Sequence, residues 1–236
     1  MKKLFKKVFE FVPVYVIIPL IAVFSFQSLI YFGTKLINHS LPKYDLTTPL
    51  DSKIPILPWF AFIYVGCYLF WAFNYMMVGR VNKEHFYRFI SNIFLGYIIS
   101  GIIFCIFPTF IVRPDLSEIQ GLGKAVVAYV YNSDTPVNLF PSMHCQISWY
   151  CYLGVRKQKE IAKSYQYFSL IMAILVCIST VVIRQHYVVD IFAGIAIAEL
   201  SYFIARHTNY WKVIYRFFEG INGKVEKLMQ KNSYSM

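Results

Sequence analysis

Charge is scarce in this chain. Only 15% of its 236 residues are Asp, Glu, Lys or Arg, against 58% apolar and 19% aromatic, a balance that excludes an ordinary soluble domain. Cysteine is sparse and unpatterned. Cys67, Cys105, Cys145, Cys151 and Cys177 are scattered and odd in number, with no C-x-x-C pair. That excludes a disulfide framework and a zinc knuckle, and the five read as small apolar packing residues. Internal repeats are also missing. The net charge of +11 does not imply nucleic acid, because the cations sit at the termini and between apolar runs, where they act as topology signals.

What is abundant is apolar sequence, in runs near the ~20 residues needed to cross a bilayer. Six spans are read, at 12–34, 59–78, 89–107, 141–155, 167–183 and 188–205. The fourth is short, so it is expected to be tilted or only partly exposed to lipid. The first follows Lys2, Lys3, Lys6 and Lys7; it is too long for a signal-peptide core, lacks a small-residue cleavage site, and is expected to be retained. Residues 35–58, rich in proline, read as a loop, and 79–88 as a short basic one. The longest polar connection, 109–140, is expected to hold a short interfacial helix at 121–131, with Gly121-Leu122-Gly123 as its starting turn. A basic loop covers 156–164, and the basic, aromatic tail 206–236 reads as an amphipathic helix on the membrane surface.

The expected fold is therefore all-α: one polytopic membrane domain over 1–236, an integral-membrane six-helix bundle with its core site region at 89–205. Alternating the spans puts 17 of the 23 lysines and arginines on the side that holds both termini, which marks that side as cytoplasmic. The protein is expected in the plasma membrane, among membrane lipids. Small-residue motifs for helix pairing between copies are not prominent.

Ionisable groups at the edge of a span are costly and mark candidate sites. Three such clusters fall on the outer side. One is 180–190, with Arg184, His186 and Asp190; if a helix starts at Val188, His186 and Asp190 share a face and the carboxylate can orient the ring. The second is Arg113-Pro114 after the third span, and the third is Pro141-Ser142-Met143-His144 before the fourth. Arg113 and Arg184 offer planar forks for phosphate oxygens. Ser142 offers a hydroxyl at a helix start whose N–H groups suit an anion. His144 and His186 supply an acid and a nucleophile or base. With no carboxylate cluster or third histidine on this face, the natural reading is phosphoryl transfer with no metal and no cofactor. Glu199, inside the sixth span and toward the other end, reads as an interhelical hydrogen-bonding group.

The order Arg113-Pro114, then Pro141-Ser142-x-His144, then His186-x-x-x-Asp190 resembles the three-part signature of the type 2 phosphatidic acid phosphatase superfamily, over roughly residues 89–205. The resemblance implies a six-span lipid phosphate phosphatase with its site at the outer face. It implies His186 as a nucleophile forming a phosphohistidine and Asp190 as its orienting charge. His144 would protonate the leaving alkoxide and then activate water, and Arg113 and Ser142 would bind phosphate. Three positions depart from the usual motifs: Ile106 for a lysine, Thr180 for an arginine, and Met143 for a glycine. Arg184 stands near enough to replace the missing cation. Together with Asp134, Pro136 and Asn138 ahead of Phe140, these departures resemble the branch containing inositol phosphorylceramide synthases. The acceptor is then water, or the hydroxyl of a lipid or polyol. A transporter of anionic lipid ranks below both, because binding alone does not need a histidine–aspartate pair.

Overall fold

A computed structural model describes residues 13–117 and 119–233, with side chains to 225. The basic segment 1–11 and the expected span start at Val12 lie outside the described residues. Uncharged sequence makes long helices wherever a bilayer could hold them. They are α1 (Val14–Ile37), α3 (Phe60–Gly79), α4 (Lys83–Ile106), α7 (Lys163–Val182) and α8 (Val188–His207), with the short α2 (Pro49–Lys53), α5 (Gly121–Ser133) and α6 (Met143–Val155) between them and α9 (Trp211–Ser233) last. Five of these are long and apolar enough to cross a membrane. Their outer faces carry Leu69, Ile102, Ile106 and Phe192, all more than half exposed, as lipid-facing surfaces should.

The expected fourth span is not one of those five. As α6 it has only 13 residues, or about 20 Å, and it stands in the middle of the bundle, largely buried. Polar side chains hold it there. Gln146 accepts from Ser100 of α4 at 2.8 Å and donates to Tyr150 at 2.8 Å, and Tyr150 meets Ser201 of α8 at 3.0 Å. Trp71 of α3 donates to Ser148 at 2.8 Å. Such bonds average about 0.6 kcal/mol each in membrane proteins; their stronger effect is to fix which face of α6 meets which neighbour. Glu199 behaves as its sequence suggests, accepting from Trp149 at 2.9 Å and from Arg156 at 3.4 Å. The five cysteines are unpaired, four of them buried.

Two connections are shorter than expected. The 79–88 loop shrinks to Arg80–Asn82, because Asn82 caps α4 through His85 N at 2.8 Å and Glu84 pairs with Arg88 at 3.0 Å, so charged first turns remain helical. Likewise α7 starts at Lys163, inside the expected loop. The all-α expectation holds, with one short strand pair beside the helices. Tyr44–Asp45 (β1) and Thr109–Phe110 (β2) pair in parallel, because these loops pack against each other and their backbone groups require partners. Helix α5 begins at Gly121, whose φ of +76° only glycine adopts readily, and α9 buries Trp211 and Phe218 against the bundle.

One glycine sets the distance between the start of α6 and α8. A Cβ on Gly194 would lie 2.6 Å from the Ser142 carbonyl oxygen and 3.2 Å from Gln146 N, both backbone atoms that cannot swing aside. Gly194→Ala is expected to lower stability by about 1–3 kcal/mol through overpacking and to depress activity by pushing the two helix starts apart. Thermal unfolding in detergent would reveal it; an unchanged midpoint would mean the helices separate without cost.

Candidate active site

The starts of α6 and α8 meet. Ser142 N donates to the Asp190 carbonyl at 3.2 Å, while Ser142 Oγ caps α6 by accepting from Cys145 N at 3.3 Å. These bonds place His144, in the first turn of α6, opposite His186, just before α8, with ring centroids 6.0 Å apart. His186 Nδ1 lies 3.2 Å from Asp190 Oδ2, and the same oxygen accepts from Tyr187 N at 3.0 Å. The i,i+4 pairing read from the sequence is thus present, although His186 itself precedes the helix. Burial alone would push the His186 imidazole down, but the hydrogen bond and charge of Asp190 outweigh it and hold the ring above its ordinary value.

The loop carrying His186 is clamped from outside. Arg184 sits at φ 54°, ending α7, and the Thr180 carbonyl accepts from both Gln185 N and His186 N. The Arg184 guanidinium donates to the Asp51 carbonyl and, at 2.6 Å, to the Ile54 carbonyl, while Asp51 Oδ1 accepts from Val188 N at 2.8 Å. Tyr187 Oη donates to Asp45 at 2.6 Å and to the Phe110 carbonyl at 3.1 Å. Asp51 was not singled out from the sequence. Its signal was there, since Thr48-Pro49-Leu50-Asp51 has the capping-box spacing, but nothing local says that the carboxylate also caps α8.

The family's usual cations have no place here. Ile106 faces outward, 74% exposed, and Thr180 is fully buried with no room for an arginine. The Arg184 guanidinium is held on the carbonyls of Asp51 and Ile54. Arg113 comes closer. It donates to the Tyr131 and Asp134 carbonyls at 2.7 and 2.8 Å and to Gln185 Oε1 at 2.9 Å, beside His186. Arg113 Nε, Gln185 Nε2 and His144 Nε2 are buried without a hydrogen-bond partner. Three unanswered buried nitrogens on these residues need an explanation.

A cavity of about 380 Å³ takes in both histidines. Aromatic rings form much of its wall. His144 stacks on Tyr64 with centroids 4.3 Å apart, and Tyr64 Oη lies 3.4 Å from His144 Nδ1. Phe24 and Phe32 of α1 and Tyr68 of α3 also line it, each more than half exposed. The mouth therefore opens sideways between apolar helices. On the α1 and α5 side, Tyr31 donates to Asp134, and Lys35 reaches the same carboxylate at 3.5 Å.

A relative from Methanocaldococcus jannaschii, itself an uncharacterized protein, is 26% identical over 187 residues. That similarity covers 74% of this chain and 66% of the relative, so the chain spans just under two thirds of the relative's length. No solved structure matches. The model of the PAP2 superfamily matches residues 46–204, a stretch that contains His144, His186 and Asp190. By that match the chain belongs to the PAP2 superfamily.

Proposed function

We propose that this protein is a membrane lipid phosphate or pyrophosphate phosphatase working through a phosphohistidine on His186. The observation that carries the reading is the pair of histidines, one backed by a buried carboxylate, in a cavity that opens toward the lipid side of the bundle. Asp190 holds Nδ1–H, so His186 Nε2 keeps its lone pair and attacks phosphorus. The P–O bond to the lipid breaks, and His144 Nε2–H protonates the leaving oxygen. With the substrate's phosphate charge beside it, His144 acts as the imidazolium, Tyr64 Oη accepting from its Nδ1–H, and becomes neutral on giving up the Nε2 proton. Water then attacks the phosphohistidine, gives a proton back to His144, releases phosphate and restores His186. The fold's coarse chemistry is phosphatase or related phosphotransferase; hydrolysis, the lipid substrate, independence from metal and an outward-facing site in the plasma membrane belong to this proposal. The excess of cations at the other end of the helices supports the orientation.

Phosphoryl transfer needs donors for the equatorial oxygens. We assign them to Arg113 and Gln185, whose unpartnered N–H groups lie next to the nucleophile in sequence or by hydrogen bond. Ser142 and Arg184 act instead by holding the start of α6 and the nucleophile loop. Gln185→Glu separates the roles sharply. The carboxylate would pair with Arg113 as well as the amide does, yet it removes a donor and adds a negative charge beside the phosphate. We expect kcat/KM to fall about 10²–10³-fold with the unfolding midpoint unchanged or raised. Full activity in Gln185→Glu would confine Gln185 to a structural role.

The direct test is phosphate release from a panel of lipid phosphates by purified protein in EDTA, with His144→Gln alongside. Loss of about 10²–10⁴-fold is expected for a lipid alkoxide leaving group, and much less for p-nitrophenyl phosphate, whose phenolate needs no proton. An equal loss on both substrates would remove His144 from the role of acid. A second reading, transfer to an organic hydroxyl, is favoured by the hydroxyl, amide and carboxylate wall of Gln27, Ser28, Tyr31 and Asp134 in the same cavity. Its signature is a phosphomonoester of an added polyol, formed at the expense of free phosphate.

A further inference from the structure

A second cavity, of about 520 Å³, opens between the first turns of α4, the α6–α7 connection and the last turns of α8. Tyr202 on its wall lies 16 residues beyond His186, roughly 24 Å along the helix at ~1.5 Å per residue. The reaction proposed above uses none of its residues. Arg88, Arg156, Lys157 and Arg206 line it. Two carboxylates answer these four cations: Glu84 pairs with Arg88 at 3.0 Å, and Glu199 reaches Arg156 at 3.4 Å. The wall keeps an excess of positive charge.

The arginine heads are preset on aromatic rings. Arg88 lies over Trp211 at 4.5 Å and is anchored to the Ala205 carbonyl at 3.1 Å. Arg156 and Arg206 share one ring, Tyr202, at 5.6 and 5.7 Å, and Arg206 also donates to Tyr202 Oη at 3.3 Å. A guanidinium stacked by its face leaves its N–H edge available and has already lost most of its freedom, so gripping an oxyanion costs less ordering. Membrane topology alone asks only that cations lie on this side; it does not ask for arginines fixed on rings around a cavity.

We propose that this cavity binds a phosphate-bearing anion at the end of the bundle opposite the histidines. Arg156 and Arg206 supply the forks, and Lys157, exposed at the rim, adds charge. The neighbouring α9 begins at the buried Trp211, which on the membrane reading sets the cavity at headgroup depth. Two sources share this chemistry: an anionic phospholipid headgroup and a soluble phosphate. An occupant would tie the C-terminal ends of α6 and α8, the helices whose starts hold His144 and Asp190.

The test needs no catalytic activity, so it stands apart from the phosphatase reading. The full chain is placed in nanodiscs of phosphatidylcholine alone, of phosphatidylcholine with phosphatidylglycerol, or of phosphatidylcholine with added inorganic phosphate. Thermal unfolding and native mass spectrometry are read. Phosphatidylglycerol is expected to raise the midpoint by several degrees and to remain on the protein. Arg156→Gln with Arg206→Gln should weaken its retention by about tenfold, a loss of 1.4 kcal/mol. A rise with inorganic phosphate and none with phosphatidylglycerol would name the soluble anion as ligand. Absence of any shift in the wild-type protein with either anion, or the same shift and retention in the double variant, would overturn the site; the wild-type comparison decides even if the variant fails to fold.

Discussion

His186→Ala is expected to reduce phosphate release from lipid phosphates by about 10⁴-fold or more, the scale on which losing a covalent nucleophile acts. The ring is only 7% exposed and already oriented by Asp190. The sharper measurement is the intermediate itself. Rapid quenching with labelled substrate should leave acid-labile, base-stable phosphate on wild-type protein and none on His186→Ala. Label retained by the alanine variant would place the nucleophile elsewhere. Activity retained without any label in the wild type would mean direct attack by water.

Asp190→Asn is expected to lower kcat by about 10⁴-fold, as when the carboxylate behind a catalytic imidazole is made neutral. Asp190 is fully buried, and its Oδ2 serves both His186 Nδ1 and Tyr187 N. An amide of the same shape can still accept one of these bonds, but it supplies no charge and can present its NH₂ to the ring. The pH profile distinguishes this from mere misfolding. The nucleophile must be neutral, and Asp190 holds His186 above its ordinary value against the pull of burial. Wild-type activity should therefore rise with pH through that elevated value. In Asp190→Asn the main opposition to burial is gone, the imidazole loses its proton at lower pH, and the acid limb should move downward while the plateau falls. A lower plateau with an unmoved limb would assign Asp190 to packing alone.

The helices and the three polar clusters were legible because their signals are local. Runs without charge give spans, and a His-x-x-x-Asp before an apolar run puts a ring within reach of a carboxylate in the first helical turn. Glu199 was read correctly for the same reason: a carboxylate at that depth must find a partner, and Trp149 and Arg156 were within reach. Helix ends were less legible. Charged residues at 83–88 looked like a loop, but the Asn82 cap and the Glu84–Arg88 pair let the helix continue past the apolar region.

Which arginine lies beside the nucleophile loop's Gln185 was not a local matter. In sequence Arg184 stands two residues from His186 and looks like the replacement for the lysine and arginine that Ile106 and Thr180 displace. In three dimensions a left-handed residue at the end of α7 turns its guanidinium onto the carbonyls of α2, while Arg113, 73 residues from His186 in the chain, is brought alongside by Gln185. Asp51, Tyr64, Asp134 and Gln185 each meet partners roughly 70 to 140 positions away, and no periodicity encodes such meetings. By itself the sequence determined a helical chain with segments long and apolar enough to cross a membrane, the family, and the spacing that sets His186 beside Asp190, since hydropathy and short-range spacing carry each of these. The tertiary structure decided that α6 is a central post rather than a full-length span, that the cavity opens sideways, and which polar groups face it, because these depend on how helices distant in the chain pack.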